Sequence, residues 1–204
     1  MSQVYAEGLW GDNGAPFYSG SGSHDSLIVE PYVEAVKGFL TSFSPPITVC
    51  DLGCGDFNVG RQLVPYTKKY VAIDIVPELI AYNRDNFIHP NVAFQCLDAA
   101  KDTLPNADCV ILRQVLQHLS NVEVQKIVER LYAYPYVILT EHWPDGNFVP
   151  NKDIISGQGI RLKKQSGVDI CAQPFCFRSH SARQLLDRPS QKYEGRLVTT
   201  LFKV

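Results

Sequence analysis

The chain has 204 residues, 45% of them hydrophobic and 20% charged, with a formal net charge of −2. That length and balance suit one globular domain with a substantial core and exclude a largely disordered chain. They leave no basic surplus of the kind that attracts nucleic acid or an acidic membrane, so neither partner is expected.

Residues 1–25 are Gly/Ser-rich and irregular around Ser19–Ser23. The stretch EPYVEAVKGFLTSF then reads as a helix, with Pro31 near its start, Val33, Val36, Leu40 and Phe43 on one face, and Pro45-Pro46 as its stop. From Ile47 strand and helix alternate. ITVCDL is a short apolar strand of the kind that parallel sheets cover on both faces. A helix follows from about Val59; KYVAIDIV is the second strand, and Pro77 opens the helix PELIAYNRDNF. VAFQCLD and ADCVILRQ are the third and fourth strands. Ser120 and Glu123 have the spacing of a capping box ahead of a helix with Val124, Ile127, Val128 and Leu131 on its buried stripe. YVILTEH is the fifth strand. Residues 143–180 then read as a long loop, and a loop of that length in a compact domain is usually functional. SARQLLDR reads as a short helix and RLVTTLFKV as the last strand. The rhythm predicts a doubly wound α/β sheet with right-handed crossovers.

Six cysteines (Cys50, Cys54, Cys96, Cys109, Cys171 and Cys176) include no CxxC pair and read as small buried hydrophobes of a reducing compartment. No zinc-type ligand set is completed, so no metal is expected. MSQVYAEGLW lacks the pattern of a signal peptide, and no run is long enough for a membrane span, so a cytoplasmic protein is expected. The RLKK run, Arg161–Lys164, reads as a solvated loop.

The informative stretch is VCDLGCGDFNVG, Val49–Gly60. Gly-rich turns after a strand commonly cradle phosphate on backbone N–H groups. Here Asp51 and Asp56 flank the glycines, Asp74 ends the second strand and Asp98 the third. In an open α/β sheet these strand ends form the ligand crevice. A phosphate about 5 Å from one carboxylate costs on the order of 3 kcal/mol at an effective dielectric near 20, so a polyphosphate ligand is disfavoured. A ligand with a positive charge, a ribose and an adenine amino group suits the acids, and S-adenosylmethionine has all three without a phosphate. Each acid has a plainer reading as a cap or turn residue, most of all Asp56. A nicotinamide site needs GxGxxG, and Asn58 stands where its third glycine belongs.

VCDLGCGDFNVG, followed by VAIDIV, FQCLDAA and DCVILRQVLQHLS, resembles the ordered motifs of class I S-adenosylmethionine-dependent methyltransferases over about residues 47–142. The resemblance implies a Rossmann-like, mostly parallel seven-stranded sheet with an antiparallel C-terminal strand and helices on both faces. It implies one domain over 1–204: an N-terminal lid and helix to 46, a cofactor-binding core over 47–142, and acceptor-side loops beyond. The implied cofactor is S-adenosylmethionine, released as S-adenosylhomocysteine. Gly53 and Gly55 would pass under its methionine part, Asp51 would meet its ammonium, Asp74 the ribose hydroxyls, Ile75 the adenine face, and Asp98 with Ala99 the adenine amino group. One departure is Phe57, where the family often has a third glycine; it would narrow the turn or cover the ligand.

A methyltransferase needs a general base only if its acceptor must lose a proton. The candidates are His118, Glu141 and His142, with Arg113 and Gln114 at the end of strand four. Arg113 would pair with a carboxylate of cofactor or substrate. Glu141 and His142 are adjacent on a strand, so at most one faces a pocket while the strand stays regular. The N-terminal GLWGDNGAPFYSGSGSHDS is similar to a lid in a subgroup of the family, which implies that Trp10, Tyr18, Ser21 and Ser23 fold over the cofactor. Asn151, Asp153 and Arg161 are similar to a post-strand-five region of the same subgroup, with Phe175 and Phe177 as walls of the acceptor pocket. No NPPY-like tetrapeptide, Pro-Cys pair or acid at the end of strand four is present. The implied acceptor is therefore a small molecule, with O- and N-transfer both open. A non-catalytic S-adenosylmethionine-binding sensor of the same fold is the alternative. Oligomeric state is not legible in the sequence.

Overall fold

In the computed structural model, which describes residues 1–12, 14–189 and 195–204, seven strands form one mixed sheet. They are β1 Thr48–Leu52, β2 Lys69–Asp74, β3 Val92–Cys96, β4 Cys109–Arg113, β5 Tyr136–Trp143, β6 Ser181–Pro189 and β7 Arg196–Lys203. The sheet order is β3-β2-β1-β4-β5-β7-β6. The helices are α1 Ser2–Ala6, α2 Ser26–Leu40, α3 Gly60–Leu63, α4 Pro77–Asn86 and α5 Asn121–Leu131. By contact density the chain divides into two units, Met1–Cys109 and Val110–Val204.

In the first unit, β1 pairs with β2 and β2 with β3, all parallel. Val49, Cys50, Leu52, Tyr70, Val71, Ala72 and Ile73 are buried, as expected for strands covered on both faces. Helix α2 starts earlier than expected. Asp25 caps it, its side chain accepting the Leu27 N–H at 3.0 Å, so Pro31 lies inside the helix rather than at its start.

In the second unit, α5 has the anticipated capping box and buries Val124, Ile127, Val128 and Leu131. β7 runs antiparallel to both β5 and β6. Residues 181–188 are therefore strand, where the sequence reading expected a helix. The register slips between Gln184 and Leu186, a β-bulge that leaves Leu185 without a partner and breaks the alternation that marks a strand. Pairing along the whole of β7 overrides the helix preference of Ala, Arg, Gln and Leu.

The loop after β5 is tied down by two buried polar residues. Asn151, at φ 59°, donates through Nδ2 to Asp169 O (2.7 Å) and Gln173 O (2.8 Å) and accepts the Asp169 N–H at 2.9 Å. Arg161, the first residue of the basic run, is only 1% exposed, so the expectation of a wholly solvated RLKK is corrected. Its guanidinium donates to Lys152 O, Leu116 O, Leu119 O and Asn121 Oδ1 at 2.6–3.1 Å. A guanidinium can be buried because its planar fork satisfies several carbonyls at once. Lys163 and Lys164 remain exposed. Phe175 and Phe177 belong to the core, where the Phe177 ring lies against Tyr132 and Phe202.

Candidate active site

The first unit assembles the glycine turn and the acids around it. Gly53 and Gly55 have φ of 78° and 55°, the left-handed region open to glycine at no steric cost. Asp74, at the end of β2, is buried; Oδ2 accepts the Gly55 N–H and Oδ1 the Val76 N–H, both at 3.1 Å. Burial pushes its carboxyl upward, and the two backbone bonds oppose that shift. Ile75, the next residue, is 46% exposed, an uncovered apolar side chain beside the acid. Asn83 of α4 holds the turn from below, donating to Gly55 O at 2.8 Å.

The other acids sit differently. Asp51 is buried at the end of β1 and accepts the Tyr70 hydroxyl at 2.9 Å. Asp98 lies two residues past β3, where its side chain accepts the Ala100 N–H at 2.9 Å and pairs with Lys101 at 2.8 Å. Ala99 is half-buried within the same turn.

Asp56 joins the turn to the N-terminal segment. Its Oδ2 accepts the Ser19 N–H at 2.8 Å and the His24 Nε2–H at 2.6 Å, while Oδ1 accepts the Asn58 N–H at 3.2 Å. In return Ser19 Oγ accepts the Asp56 N–H at 2.9 Å and lies 3.0 Å from the Tyr5 hydroxyl. Asn58 Nδ2 donates to Ser23 O at 2.7 Å, and the Tyr18 ring stacks on His24 at 4.7 Å. Phe17 packs on Tyr82 of α4, and Tyr5 on Trp10. Burial first, then the charge of Asp74, drives the Tyr5 phenol upward. A Cβ at Gly55 would collide with Ser19 Oγ, so the second glycine is demanded by the covering segment as well as by its own φ. Tyr5, Ser19 and His24 were not singled out from the sequence. The available signal was Asp56 itself, an acid with no charge partner near it in the chain.

Phe57 departs from the sequence expectation of a residue narrowing the turn. It adopts φ 62° and turns into the core, 1% exposed, against Tyr70, Phe87 and Phe94. Left-handed backbone costs a residue with a Cβ about 1–2 kcal/mol, less than full burial of a Phe side chain returns. Gly60 makes room, since a Cβ there would lie 2.6 Å from the Phe57 ring.

The second unit holds the remaining candidates. Arg113 ends β4, and Gln114 follows at φ 57° with its N–H bonded to Thr140 O at 2.7 Å. His118 closes a short 3₁₀ turn, Leu116–His118; its Nδ1 lies 3.2 Å from Gly159 O and its Nε2 3.3 Å from Gln117 Nε2. Burial lowers the His118 imidazole to about 4. Glu141 and His142 both lie within regular β5, so their side chains leave on opposite faces. Glu141 is the one joined to the 116–118 turn, its Oε1 accepting the Leu116 N–H at 3.1 Å. Burial raises its carboxyl to about 8. Burial lowers His142, against the pull of Asp145.

Residues 49–134 match the family model described as a methyltransferase domain. The curated relatives include an uncharacterized RNA methyltransferase of Chlamydia pneumoniae, 28% identical over 146 residues, 67% of this chain and 35% of the relative. They also include a malonyl-[acyl-carrier protein] O-methyltransferase of Acetivibrio thermocellus, 33% identical over 90 residues, 42% of this chain and 32% of the relative. The chain thus spans about a third of the length of these relatives. Among solved structures, the N-methyltransferase NodS of Bradyrhizobium japonicum bound to S-adenosyl-L-homocysteine aligns over 99% of this chain and 97% of its own, with TM-score 0.67 and 12% identity. Magnesium protoporphyrin IX methyltransferase of Synechocystis aligns over 98% and 93%, with TM-score 0.58 and 18% identity. Residues 49–134 are thus similar to methyltransferase domains, and the fold is the one shared by these solved methyltransferases.

Proposed function

We propose that the protein transfers a methyl group from S-adenosylmethionine to a small-molecule acceptor. The observation that carries the reading is the glycine turn of the first unit: Gly55, with no room for a side chain, is bonded to the buried carboxylate of Asp74, with Ile75 uncovered beside it. These residues fit the cofactor. Asp74 offers acceptor lone pairs to ribose hydroxyls, Ile75 an apolar face to a purine, and Gly53 and Gly55 a backbone open to close approach. Asp51 would meet the ammonium and Asp98, with Ala99, the adenine amino group. Asp98 would have to share oxygens that now serve Ala100 and Lys101. When bound, the cofactor supplies a methyl group on a sulfonium, activated toward a nucleophile with a free lone pair.

The chain's own contribution is positioning, exclusion of water and proton handling. Tyr18, with Ser19 and His24, would close the N-terminal segment over the glycine turn as a lid latched by Asp56. Arg113 would meet a carboxylate of cofactor or acceptor. Glu141 would serve as the base above about pH 8, where it is ionised, and His142, on the other face of β5, would not share that role. His118, both ring nitrogens hydrogen-bonded, would position rather than accept a proton.

A small acceptor is favoured by the net charge of −2. The names of the Chlamydia relatives favour a second reading, transfer to RNA. Incubation with methyl-tritiated S-adenosylmethionine separates the two. Label in a low-molecular-weight metabolite fraction supports the small-molecule reading. Label only in RNA moves the acceptor class to nucleic acid.

A further inference from the structure

On the reading that the glycine turn holds S-adenosylmethionine, its surroundings must also receive that molecule's carboxylate, and the turn itself has no hydrogen to give. Every backbone N–H from Gly53 to Asn58 is bonded within the first unit. Gly53 and Cys54 donate to Ile73 O at 2.8 and 2.9 Å, Gly55 to Asp74 Oδ2 at 3.1 Å and Asp56 to Ser19 Oγ at 2.9 Å. Phe57 donates to Cys54 O and Asn58 to Asp56 Oδ1, both at 3.2 Å. The neighbouring side chains are committed as well: His24 Nε2–H to Asp56, the Asn58 amide to Ser23 O and the Asn83 amide to Gly55 O. Asp51, Asp56 and Asp74 offer an anion only repulsion. Two hydroxyls that meet over Gly55 are the exception. Tyr5 and Ser19 carry two O–H hydrogens and share one bond, 3.0 Å long, so one hydrogen is left over. A phenol gives up its proton more readily than an alcohol and is the weaker acceptor, which makes Tyr5 the donor within the pair. Ser19 Oγ then has both lone pairs filled, by Tyr5 and by the Asp56 N–H, and its own hydrogen has no acceptor among the described residues. Its place is fixed against the turn, since a Cβ on Gly55 would strike Ser19 Oγ and stand 3.5 Å from the Tyr5 hydroxyl.

We propose, resting on that reading, that the Ser19 hydroxyl donates to the carboxylate of the cofactor's methionine part, with Tyr5 as the positioning residue that aims it. The docked N-terminal segment thereby recognises the amino-acid end of the cofactor. The other polar groups of the molecule bring hydrogens to this site, the ammonium to Asp51 and the ribose hydroxyls to Asp74. The carboxylate is its one anionic group and its strongest acceptor, and it needs a donor. Burial first, then the charge of Asp74, keeps the Tyr5 phenol protonated, so the relay from Tyr5 through Ser19 keeps its direction. The Tyr5 ring is held by Trp10 and Phe17, and the Ser19 backbone N–H by Asp56, so the donor stands in place before the ligand arrives. Ser19 is then the residue that tells a methionyl nucleoside from a plain adenosine one.

The test is calorimetric titration with S-adenosylhomocysteine and with its decarboxylated analogue, which keeps the amine and the adenosine. The wild type should bind the first at least tenfold more tightly. Ser19→Ala should bring the two affinities within threefold of each other. Tyr5→Phe, which keeps the bond from the Asp56 N–H to Ser19, should lower the ratio at least threefold. A role confined to holding the segment down would weaken both ligands by the same factor, and a ratio that stays at its wild-type value in both variants overturns the proposal. Amide exchange gives a second readout. At saturation, S-adenosylhomocysteine should slow exchange at Ser23, His24 and Asp25 more than the analogue does, because only the first adds a contact to the docked segment. Equal protection by the two ligands also overturns the proposal. Equal affinity of the wild type for both overturns the carboxylate contact alone and leaves the cofactor reading standing. Binding of neither withdraws the cofactor reading, and the contact with it.

Discussion

Asp56 is the residue on which the N-terminal segment hangs. Truncation in Asp56→Ala removes three hydrogen bonds to a buried charge, two of them from the N-terminal segment (Ser19 N–H and His24 Nε2–H) and one from Asn58 N–H, and leaves the Ser19 amide without its acceptor. Hydrogen bonds to charged groups contribute about 1.5–3 kcal/mol each, and His24 is partly exposed, so we expect about 3 kcal/mol lost from docking of the segment. That is roughly a hundredfold rise in the undocked population. The assay is amide hydrogen exchange at Ser23, His24 and Asp25, whose N–H groups bond to Gly20 O and Ser21 O only while the segment is folded. Their protection should fall about a hundredfold in Asp56→Ala and by an intermediate amount in Asp56→Asn, which keeps an oxygen but loses the charge. Protection in α5 should not change. Unchanged exchange at residues 23–25, or an equal loss throughout the chain, would refute the latch.

Two further substitutions have signs that follow from the geometry. Phe57→Ala empties a site walled by Tyr70, Phe87 and Phe94 while keeping a Cβ at positive φ, and should cost about 3–5 kcal/mol in urea denaturation; a loss under 1 kcal/mol would mean the aromatic cluster carries little. Glu141→Gln should change how stability depends on pH. Below pH 4.5 both folded and unfolded states hold the proton; from there to about pH 8 the unfolded chain releases it while the folded one keeps it, so the wild type weakens as pH rises. The slope is about 1.4 kcal/mol per pH unit, so the stability of Glu141→Gln relative to wild type should improve by on the order of 3 kcal/mol between pH 5.5 and 7.5. A difference that stays constant with pH would place Glu141 in contact with solvent or a compensating charge.

The parallel core was legible because β1, β2 and β4 are short apolar runs and because Ser120 and Glu123 announce α5 in the local sequence. What the sequence hid depends on contacts distant in the chain. β6 was read as helix because the bulge at Leu185 erases its period, and only its pairing with β7 makes it a strand. Arg161 looked solvated because four acceptors from residues 116–121 and 152 meet it only after folding. Phe57 was expected over the turn and lies in the core, since no local pattern shows that Gly60 clears its path. The acids Asp51, Asp56, Asp74 and Asp98 were found, yet their separate partners (Tyr70, the Ser19 segment, Gly55 and Lys101) were not readable from spacing.

The central claim is that the turn of Gly53, Gly55 and Asp74 holds S-adenosylmethionine. Calorimetric titration with S-adenosylmethionine, S-adenosylhomocysteine and NAD tests it directly. The account predicts saturable binding of the first two only, weakened at least tenfold in Asp74→Ala, whose fold is checked by its unchanged urea transition slope. Binding of NAD alone, of none of the three, or of S-adenosylmethionine with equal affinity in Asp74→Ala would contradict it.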